Sequence, residues 1–164
     1  MPDKIHIRVD NRLLHGQVVQ FWIPYLEVDH LVIADDITTA NAAMTAVCKM
    51  AVPKHVKLSV LPVKELKETL TNSPDATLMV LLRDISDVIT AQATGCEFSR
   101  LVIGNVHAGD GRNRITDSVY LSPEEIKILY RLGNDGCAVE IKTFPGEVLK
   151  MELAGDGGVK WSRR

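Results

Sequence analysis

Short apolar segments alternate with amphipathic segments along most of the chain. Six segments have the apolar content or the two-residue alternation that is typical of strands. They are residues 4–9, 30–34, 56–61, 76–82, 101–104 and 138–144. The segments between them mostly carry apolar side chains at the three- and four-residue spacing of helices. This order predicts one α/β domain, a three-layer α/β/α structure with a mostly parallel central sheet.

Two of the intervening segments carry specific helix predictions. Residues 38–51 are rich in alanine and form one predicted helix, which Pro53 stops. The apolar residues at helical spacing in this helix are Ala43, Ala46, Val47 and Met50. Ser122 followed by Pro123 predicts the start of a later helix, and Glu125 completes a capping box there.

The predicted domain covers residues 1–154, and residues 155–164 are expected to form a flexible tail. The tail prediction depends on the glycine-rich stretch at residues 155–158, which follows the last apolar pattern. A chain of 164 residues is large enough to bury one substantial core. No repeat or linker divides the sequence further.

Composition narrows the class of protein. An apolar content of 46% with 24% charged residues is ordinary for a globular protein, and the net charge of −2 argues against a nucleic-acid-binding surface. No apolar run approaches the ~20 residues of a membrane span, so no direct membrane insertion is expected. The first residues lack an apolar signal region, which predicts a cytoplasmic location.

Most motif classes that would imply a cofactor or a metal are absent from the sequence. There is no phosphate-binding P-loop, no dinucleotide-binding glycine motif and no zinc spacing among the histidines and cysteines. Cys48, Cys96 and Cys137 are far apart and lie in apolar surroundings, so they are expected to be reduced and buried. We therefore expect neither a cofactor nor a metal.

A histidine and an arginine, three residues apart, lie where the first strand gives way to the first helix. Asp10 and Asn11 favour a turn after the strand, and α/β proteins bind ligands at the carboxyl ends of parallel strands. The start of a helix also favours anions. A neutral imidazole is a good nucleophile, and the guanidinium of Arg12 could contact a phosphoryl group in transfer. This arrangement indicates phosphoryl transfer through His15; a loop histidine beside a solvated arginine is the plainer alternative.

The sequence around these residues resembles a known signature. Residues 8–18 read Arg-Val-Asp-Asn-Arg-Leu-Leu-His-Gly-Gln-Val. This stretch resembles the pattern R-[IV]-D-[DN]-R-L-[IL]-H-G-Q-V of the IIB components of the mannose/sorbose family of the bacterial phosphotransferase system (PTS). The resemblance extends over nearly the whole domain and implies the same α/β/α architecture.

The resemblance also implies a function. A IIB component of this family accepts a phosphoryl group from a phosphohistidine on the IIA component and passes it to a sugar held by the membrane components IIC and IID. The resemblance makes His15 the phosphorylated nucleophile and Arg12 the stabiliser of the transition state, with Asp10 and Gln17 in support. The protein would then be a phosphoenolpyruvate-dependent sugar phosphotransferase acting through histidine.

Further candidate residues lie at the other junctions between strands and helices. Asp10, Asp35 or Asp36 could bond the second imidazole nitrogen of His15, and the sequence does not choose among them. Capping of the next helix is the alternative for Asp35 and Asp36. The set that could contact phosphate or a partner is Asn11, Gly16, Gln17, Asp35, Asp36, Arg112 and Arg114. For the last two, the alternative is that both are exposed arginines in a solvated loop.

The remaining histidines are expected to be structural or unimportant for catalysis. His6 lies inside the first strand, and His30 and His55 lie near strand starts, at the wrong edge of the sheet. His107 lies nearer the expected site, but a second catalytic histidine is not expected.

Three departures from the family pattern keep two alternatives open. Asn11 replaces a common aspartate, the loop after Gly104 lacks a glycine pair, and the pair at residues 83–84, Arg-Asp, is unusual. A regulatory phosphocarrier that is not coupled to transport, or a binding module that is not phosphorylated, would also be compatible with such changes. The sugar and the oligomeric state, including a homo-oligomer, stay open.

Overall fold

The computed structural model describes residues 4–163, which form ten strands and six α-helices. The strands are β1 (Ile5–Asp10), β2 (His30–Ala34), β3 (Lys57–Leu61), β4 (Leu78–Leu82), β5 (Arg100–Asn105), β6 (Asn113–Arg114), β7 (Tyr120–Leu121), β8 (Ala138–Ile141), β9 (Leu149–Leu153) and β10 (Val159–Ser162). The helices are α1 (Ile23–Leu26), α2 (Asp36–Thr39), α3 (Ala42–Ala51), α4 (Leu66–Thr71), α5 (Ile85–Ala93) and α6 (Pro123–Asn134). A π-helix, Val18–Trp22, precedes α1, and a 3₁₀ turn, Val63–Glu65, precedes α4.

Eight strands form the central sheet, in the order β10-β9-β8-β5-β1-β4-β2-β3. The six strands from β3 to β8 along this order are parallel to one another. At the other edge of the sheet, β9 pairs antiparallel with β8, and β10 pairs antiparallel with β9. The strands β6 and β7 pair separately. The predicted α/β/α fold with a mostly parallel sheet is confirmed.

Each face of the sheet has its own apolar core. The larger core joins strand residues such as Val9 and Val80 to Ile85 of α5 and Leu129 of α6. The second core joins Met79 and other strand residues to the helical segment at residues 18–26. Strands that are buried on both faces read as continuous apolar runs, which explains why β2 was predicted with its observed limits.

The first helix is irregular over its first turns. Val18 and Trp22 are both buried although the segment between them is wound as a π-helix. Pro24 has no N–H to donate to residue 20, so a regular α-helix cannot continue through this point. Rare π-turns of this kind occur mostly at functional sites, and this one begins three residues after His15.

The predicted helix at residues 38–51 is two helices, and its apolar residues do not form a buried face. Asn41 lies between α2 and α3, and its side chain accepts a hydrogen bond from the N–H of Met44, which starts α3 afresh. Val47 and Met50 are 64% and 86% exposed. The side chain that packs against the core is Cys48. The apolar residues do recur at helical spacing, but the face of α3 that packs against the core carries Cys48 and not Val47 or Met50.

The C-terminal segment also differs from the prediction. Residues 159–162 form β10, which pairs with β9 through a tight turn in which Gly157 has a φ of +84°. Trp161 pairs with Met151, and both pack against the larger core. The expected flexible tail was therefore wrong for this segment, because its glycines form the turn of a hairpin.

Candidate functional site

His15 lies in the loop between β1 and the first helix, at the carboxyl edge of the parallel strands. Its backbone carbonyl accepts a hydrogen bond from the N–H of Val19 at 3.1 Å, so it lies at the start of the helical segment. Leu13 anchors the loop: its side chain is 5% exposed, and its φ of +53° is left-handed. The register between β1 and β5 shifts between Val9 and Asp10. Irregularities of this kind redirect side chains next to active sites.

Among the three candidate carboxylates, Asp10 contacts His15. The Nε2 atom of His15 lies 2.9 Å from Oδ2 of Asp10, whose side chain has no exposed surface. Burial by itself would raise the pKa of Asp10, but the hydrogen bond with His15 and the charge of Arg8 outweigh it and lower that pKa below its usual value. An ionised carboxylate can only accept hydrogen bonds. In a neutral imidazole, this contact favours the tautomer with the proton on Nε2 and the free electron pair on Nδ1.

Arg12 lies beside the same carboxylate. Its backbone N–H donates to Oδ1 of Asp10 at 3.0 Å, and its Nε lies 3.6 Å from that oxygen. Its Nη2 donates to Oε1 of Gln17 at 3.1 Å. The side chain of Arg12 remains 36% exposed, so it can meet a group that arrives from solvent. The structure thus brings together four predicted residues: Asp10, Arg12, His15 and Gln17.

Arg8 belongs to the site and was missed in the sequence. Its side chain is 2% exposed, and its Nε lies 3.5 Å from Oδ2 of Asp10. Burial lowers the pKa of Arg8 to about 10, even though Asp10 opposes this effect. A signal was available, because residues two apart in a strand share a face. Arg8 and Asp10 therefore had to lie side by side on β1.

Asn11 connects three loops through its hydrogen bonds. Its Nδ2 donates to the carbonyl of Arg83 at 2.7 Å and to Oδ1 of Asp84 at 3.2 Å. Its Oδ1 accepts from the N–H of His107 at 2.7 Å, and its own N–H donates to the carbonyl of Asn105 at 3.0 Å. Asn11 therefore ties the β1 loop to the loops that follow β4 and β5.

Asp35 and Asp36 are engaged at the junction of β2 and α2. Asp35 caps α2 by accepting from the N–H and hydroxyl of Thr38, and it pairs with Arg83 through contacts of 3.1 and 2.7 Å. Burial opposes ionisation of Asp35, but these hydrogen bonds lower its pKa. Asp36 accepts from the N–H of Val63 at 2.9 Å. The hydrogen bonds described for these two carboxylates hold the scaffold together, and none reaches His15.

Arg112 and Arg114 are also committed to other partners. Arg112 forms a bidentate pair with Glu125 at 2.9 and 3.2 Å, and it donates to the carbonyl of His107 at 3.0 Å. Glu125 is the residue that completes the predicted capping box of α6, which is confirmed. Arg114 pairs with Asp117 on the surface. None of these contacts joins either arginine to His15. At Gly16, an added Cβ atom would meet no other atom within 4 Å.

Residues 4–163 contain neither a metal-binding cluster nor a helix that could span a membrane. No three His, Cys, Asp or Glu side chains in this range form a group that could hold a metal ion. No helix in the same range is long and apolar enough to cross a membrane.

Comparison with known families identifies the fold and its class. The family model described as PTS system sorbose subfamily IIB component matches residues 5–152 of this chain. The chain belongs to this family. As a PTS IIB component it is part of a sugar phosphotransferase system, in agreement with the resemblance seen at residues 8–18.

Individual relatives agree with the family assignment. The PTS system fructose-specific EIIB component of Bacillus subtilis (strain 168) is 28% identical over 151 residues, which cover 90% of this chain and 91% of that protein. The crystal structure of manxB from Thermoanaerobacter tengcongensis has a TM-score of 0.77 at 29% identity, with 87% of this chain and 88% of that chain covered. The IIBSor domain of the sorbose permease from Klebsiella pneumoniae has the same fold, with a TM-score of 0.80 at 23% identity over 87% of this chain and 90% of that chain.

Proposed function

We propose that His15 carries the phosphoryl group in this IIB component and that the group is bound to Nδ1. The observation that supports this proposal is the 2.9 Å contact between Nε2 of His15 and the buried carboxylate of Asp10. This contact occupies one imidazole nitrogen and leaves the other as the nucleophile. The imidazole is 14% exposed, so a donor can still reach it.

The residues around His15 suit an in-line transfer. As the bond from Nδ1 to phosphorus forms, the bond from phosphorus to the donor histidine breaks, and no proton has to leave Nε2. The ring of His15 gains positive charge, which the ionised Asp10 balances. Arg12 is partly exposed and bonded to Gln17, which supports a role in contacting the oxygens of the transferring group. The site therefore works by position and charge.

The partners follow from the family. The donor would be a phosphohistidine on a PTS IIA component, and the acceptor would be a sugar held by the membrane components IIC and IID, on the cytoplasmic side of the membrane. The relatives named above are described as components for fructose and for sorbose. These sugar-specific names support a transport-coupled role over a regulatory one. Since the membrane components hold the sugar, the site around His15 is not expected to determine which sugar is phosphorylated.

Reconstitution tests the proposal. The purified protein would be mixed with phosphoenolpyruvate, the two general PTS proteins and a IIA component, and intact mass and ³¹P NMR would be recorded. We expect one acid-labile phosphoryl group with the chemical shift of Nδ1-phosphohistidine. His15→Ala should not be phosphorylated, whereas His107→Ala, a change at an exposed histidine, should be phosphorylated normally. Phosphorylation of His15→Ala would disprove the assignment.

A further inference from the structure

We propose that Arg8 is a positioning residue for His15: it acts through Asp10 to hold the imidazole as the tautomer with a free Nδ1. This proposal rests on the function proposed above, because it explains how the attacking nitrogen is kept free. The side chain of Arg8 is only 2% exposed, so it is not expected to contact the phosphoryl group itself.

The guanidinium of Arg8 is held in one place from two sides. Its Nη1 donates to the carbonyl of Lys142 at 2.7 Å, and its Cζ lies 4.7 Å from the centre of the Trp22 ring. The indole of Trp22 donates to the carbonyl of Thr143 at 3.1 Å, so the segment after β8 holds both side chains. Arg8 therefore cannot move away from Asp10 without breaking contacts to the segment after β8 and to the π-helix.

Gly104 leaves the space that Arg8 occupies. A Cβ atom at residue 104 would lie 2.1 Å from both Cζ and Nη2 of Arg8 and 2.5 Å from its Nε. Such distances are impossible, so any larger residue at this position of β5 would displace the guanidinium. The strand register places Arg8 and Asp10 on the same face of β1, with Gly104 on the neighbouring strand.

The arrangement is costly for stability, which points to a role in function. Arg8 is a buried cation, and its Nε has no hydrogen-bond partner among the described residues. Buried charges and unsatisfied donors both oppose folding. The Nε atom instead lies 3.5 Å from Oδ2 of Asp10, the oxygen that also contacts His15.

Arg8 acts on the protonation of Asp10. Burial favours the neutral form of a carboxyl group, and a nearby cation favours the ionised form. Arg12 also lies near Asp10, but it is partly exposed, so solvent screens its charge more than that of Arg8. Arg8 is therefore the main cation that keeps Asp10 ionised.

The ionisation of Asp10 determines which nitrogen of His15 is free. An ionised carboxylate accepts a hydrogen bond from Nε2–H. A protonated carboxyl could instead donate to Nε2, and the imidazole proton would then move to Nδ1. In that tautomer Nδ1 has no free electron pair and cannot attack phosphorus. Removal of Arg8 should therefore shift His15 toward the tautomer that does not react.

The direct test is ¹⁵N NMR of the imidazole in the unphosphorylated protein, combined with the rate of phosphorylation by a IIA component. Wild type should show Nε2 protonated. In Arg8→Met, the two nitrogen signals should move toward each other as the tautomers mix, and the rate should fall at least about tenfold. Arg8→Lys restores the charge and should recover part of the wild-type tautomer preference and part of the wild-type rate. Arg83→Met removes another arginine–aspartate pair, in which neither side chain has a described hydrogen bond to His15, and should leave the tautomer as in wild type.

Gly104→Ala provides a second test in which no charge is removed. The added methyl group should displace Arg8 and reproduce the tautomer mixture. In an Arg8→Ala background the methyl group has room, so Gly104→Ala should add little, and the two changes should be far from additive. This arm remains decisive if Arg8→Met fails to fold.

The outcomes separate this proposal from the proposed function. If Arg8→Met and Gly104→Ala fold and keep the wild-type tautomer, the positioning role is wrong, whether or not His15 is phosphorylated. If the tautomer shifts but wild type accepts no phosphoryl group on His15, the positioning role stands and the proposed function is wrong. A slower rate with an unchanged tautomer would also overturn the positioning role.

Discussion

The side-chain amide of Asn11 donates a hydrogen bond of 2.7 Å to the carbonyl of Arg83, across the gap between the loops that follow β1 and β4. The same side chain contacts Asp84 and the backbone of His107. These are the three places at which the sequence was expected to depart from the usual residues of the family. The departures meet at one side chain, so we interpret them as one local change and not as separate drift.

Asn11→Asp should destabilise the protein although the pattern that residues 8–18 resemble includes aspartate at this position. A carboxylate cannot donate to the carbonyl of Arg83, and it would face the carboxylate of Asp84, which lies 3.2 Å from the present amide. We expect a loss of about 1–3 kcal/mol in the free energy of unfolding, measured in urea. Asp84→Asn in the same chain should recover part of it. Equal stability of Asn11→Asp and wild type would contradict this account.

Asp10→Asn should slow phosphorylation more than it harms the fold. The amide has the same shape but no charge, so it neither fixes the imidazole tautomer nor balances the charge on the phosphorylated ring. We expect a loss of about a hundredfold or more in the rate of phosphoryl acceptance, as when a catalytic histidine is held in the wrong tautomer. Single-turnover phosphorylation from a IIA donor would measure it. Asp36→Asn is the control, because Asp36 is an exposed carboxylate at the junction of β2 and α2. This variant should keep the wild-type rate.

Arg83→Met should make the free energy of unfolding depend less on pH in the acid range. The pKa of Asp35 is lowered in the folded protein, largely by its hydrogen bonds with Arg83 and Thr38 acting against burial. A group of this kind stabilises the fold above its unfolded pKa and ceases to do so as the pH falls through the folded value. Arg83→Met should therefore lower the urea midpoint at pH 7, and the difference from wild type should shrink as the pH falls below about 4. A difference that grows on acidification would contradict the pairing.

Trp161→Ala tests the C-terminal hairpin. The side chain of Trp161 packs against the larger core opposite Met151. Because the residue is only partly buried, we expect a loss of about 1–3 kcal/mol, below the usual cost at a fully buried tryptophan. Arg163→Ala, two residues further on the exposed surface, should have little effect. If both variants unfold at the wild-type denaturant concentration, residues 159–162 do not pack as the structure shows.

Local features were predicted well because the sequence contains them directly. The Ser122 cap, the limits of β2 and the place of His15 after the first strand all depend on residues close together in the chain. The face of α3 that packs, and the pairing of β10 with β9, depend on residues elsewhere in the chain. Periodicity alone does not specify these contacts.

The same distinction holds within the site. Asp10, Arg12, His15 and Gln17 are neighbours in sequence, and the family signature contains all of them. The contacts of Asn11 and Arg8 outside the β1 segment were not predicted, because these partners are far away in sequence: Arg83 for Asn11, and Lys142 and Trp22 for Arg8. Conversely, Arg112 and Arg114 looked available in sequence, but the fold gives each an acidic partner.

The position of β1 has a consequence for how this domain responds to its own modification. The strand is hydrogen-bonded to β4 on one side and to β5 on the other, so its backbone cannot shift without opening ladders on both sides. Amide hydrogens of β1 should therefore exchange slowly with solvent whether or not His15 is phosphorylated, and changes should be confined to residues 11–15. If His15 carries the phosphoryl group as proposed, the sheet beneath the loop would keep one shape when the protein meets its donor and its acceptor. Its partners would distinguish the loaded from the empty form by charge.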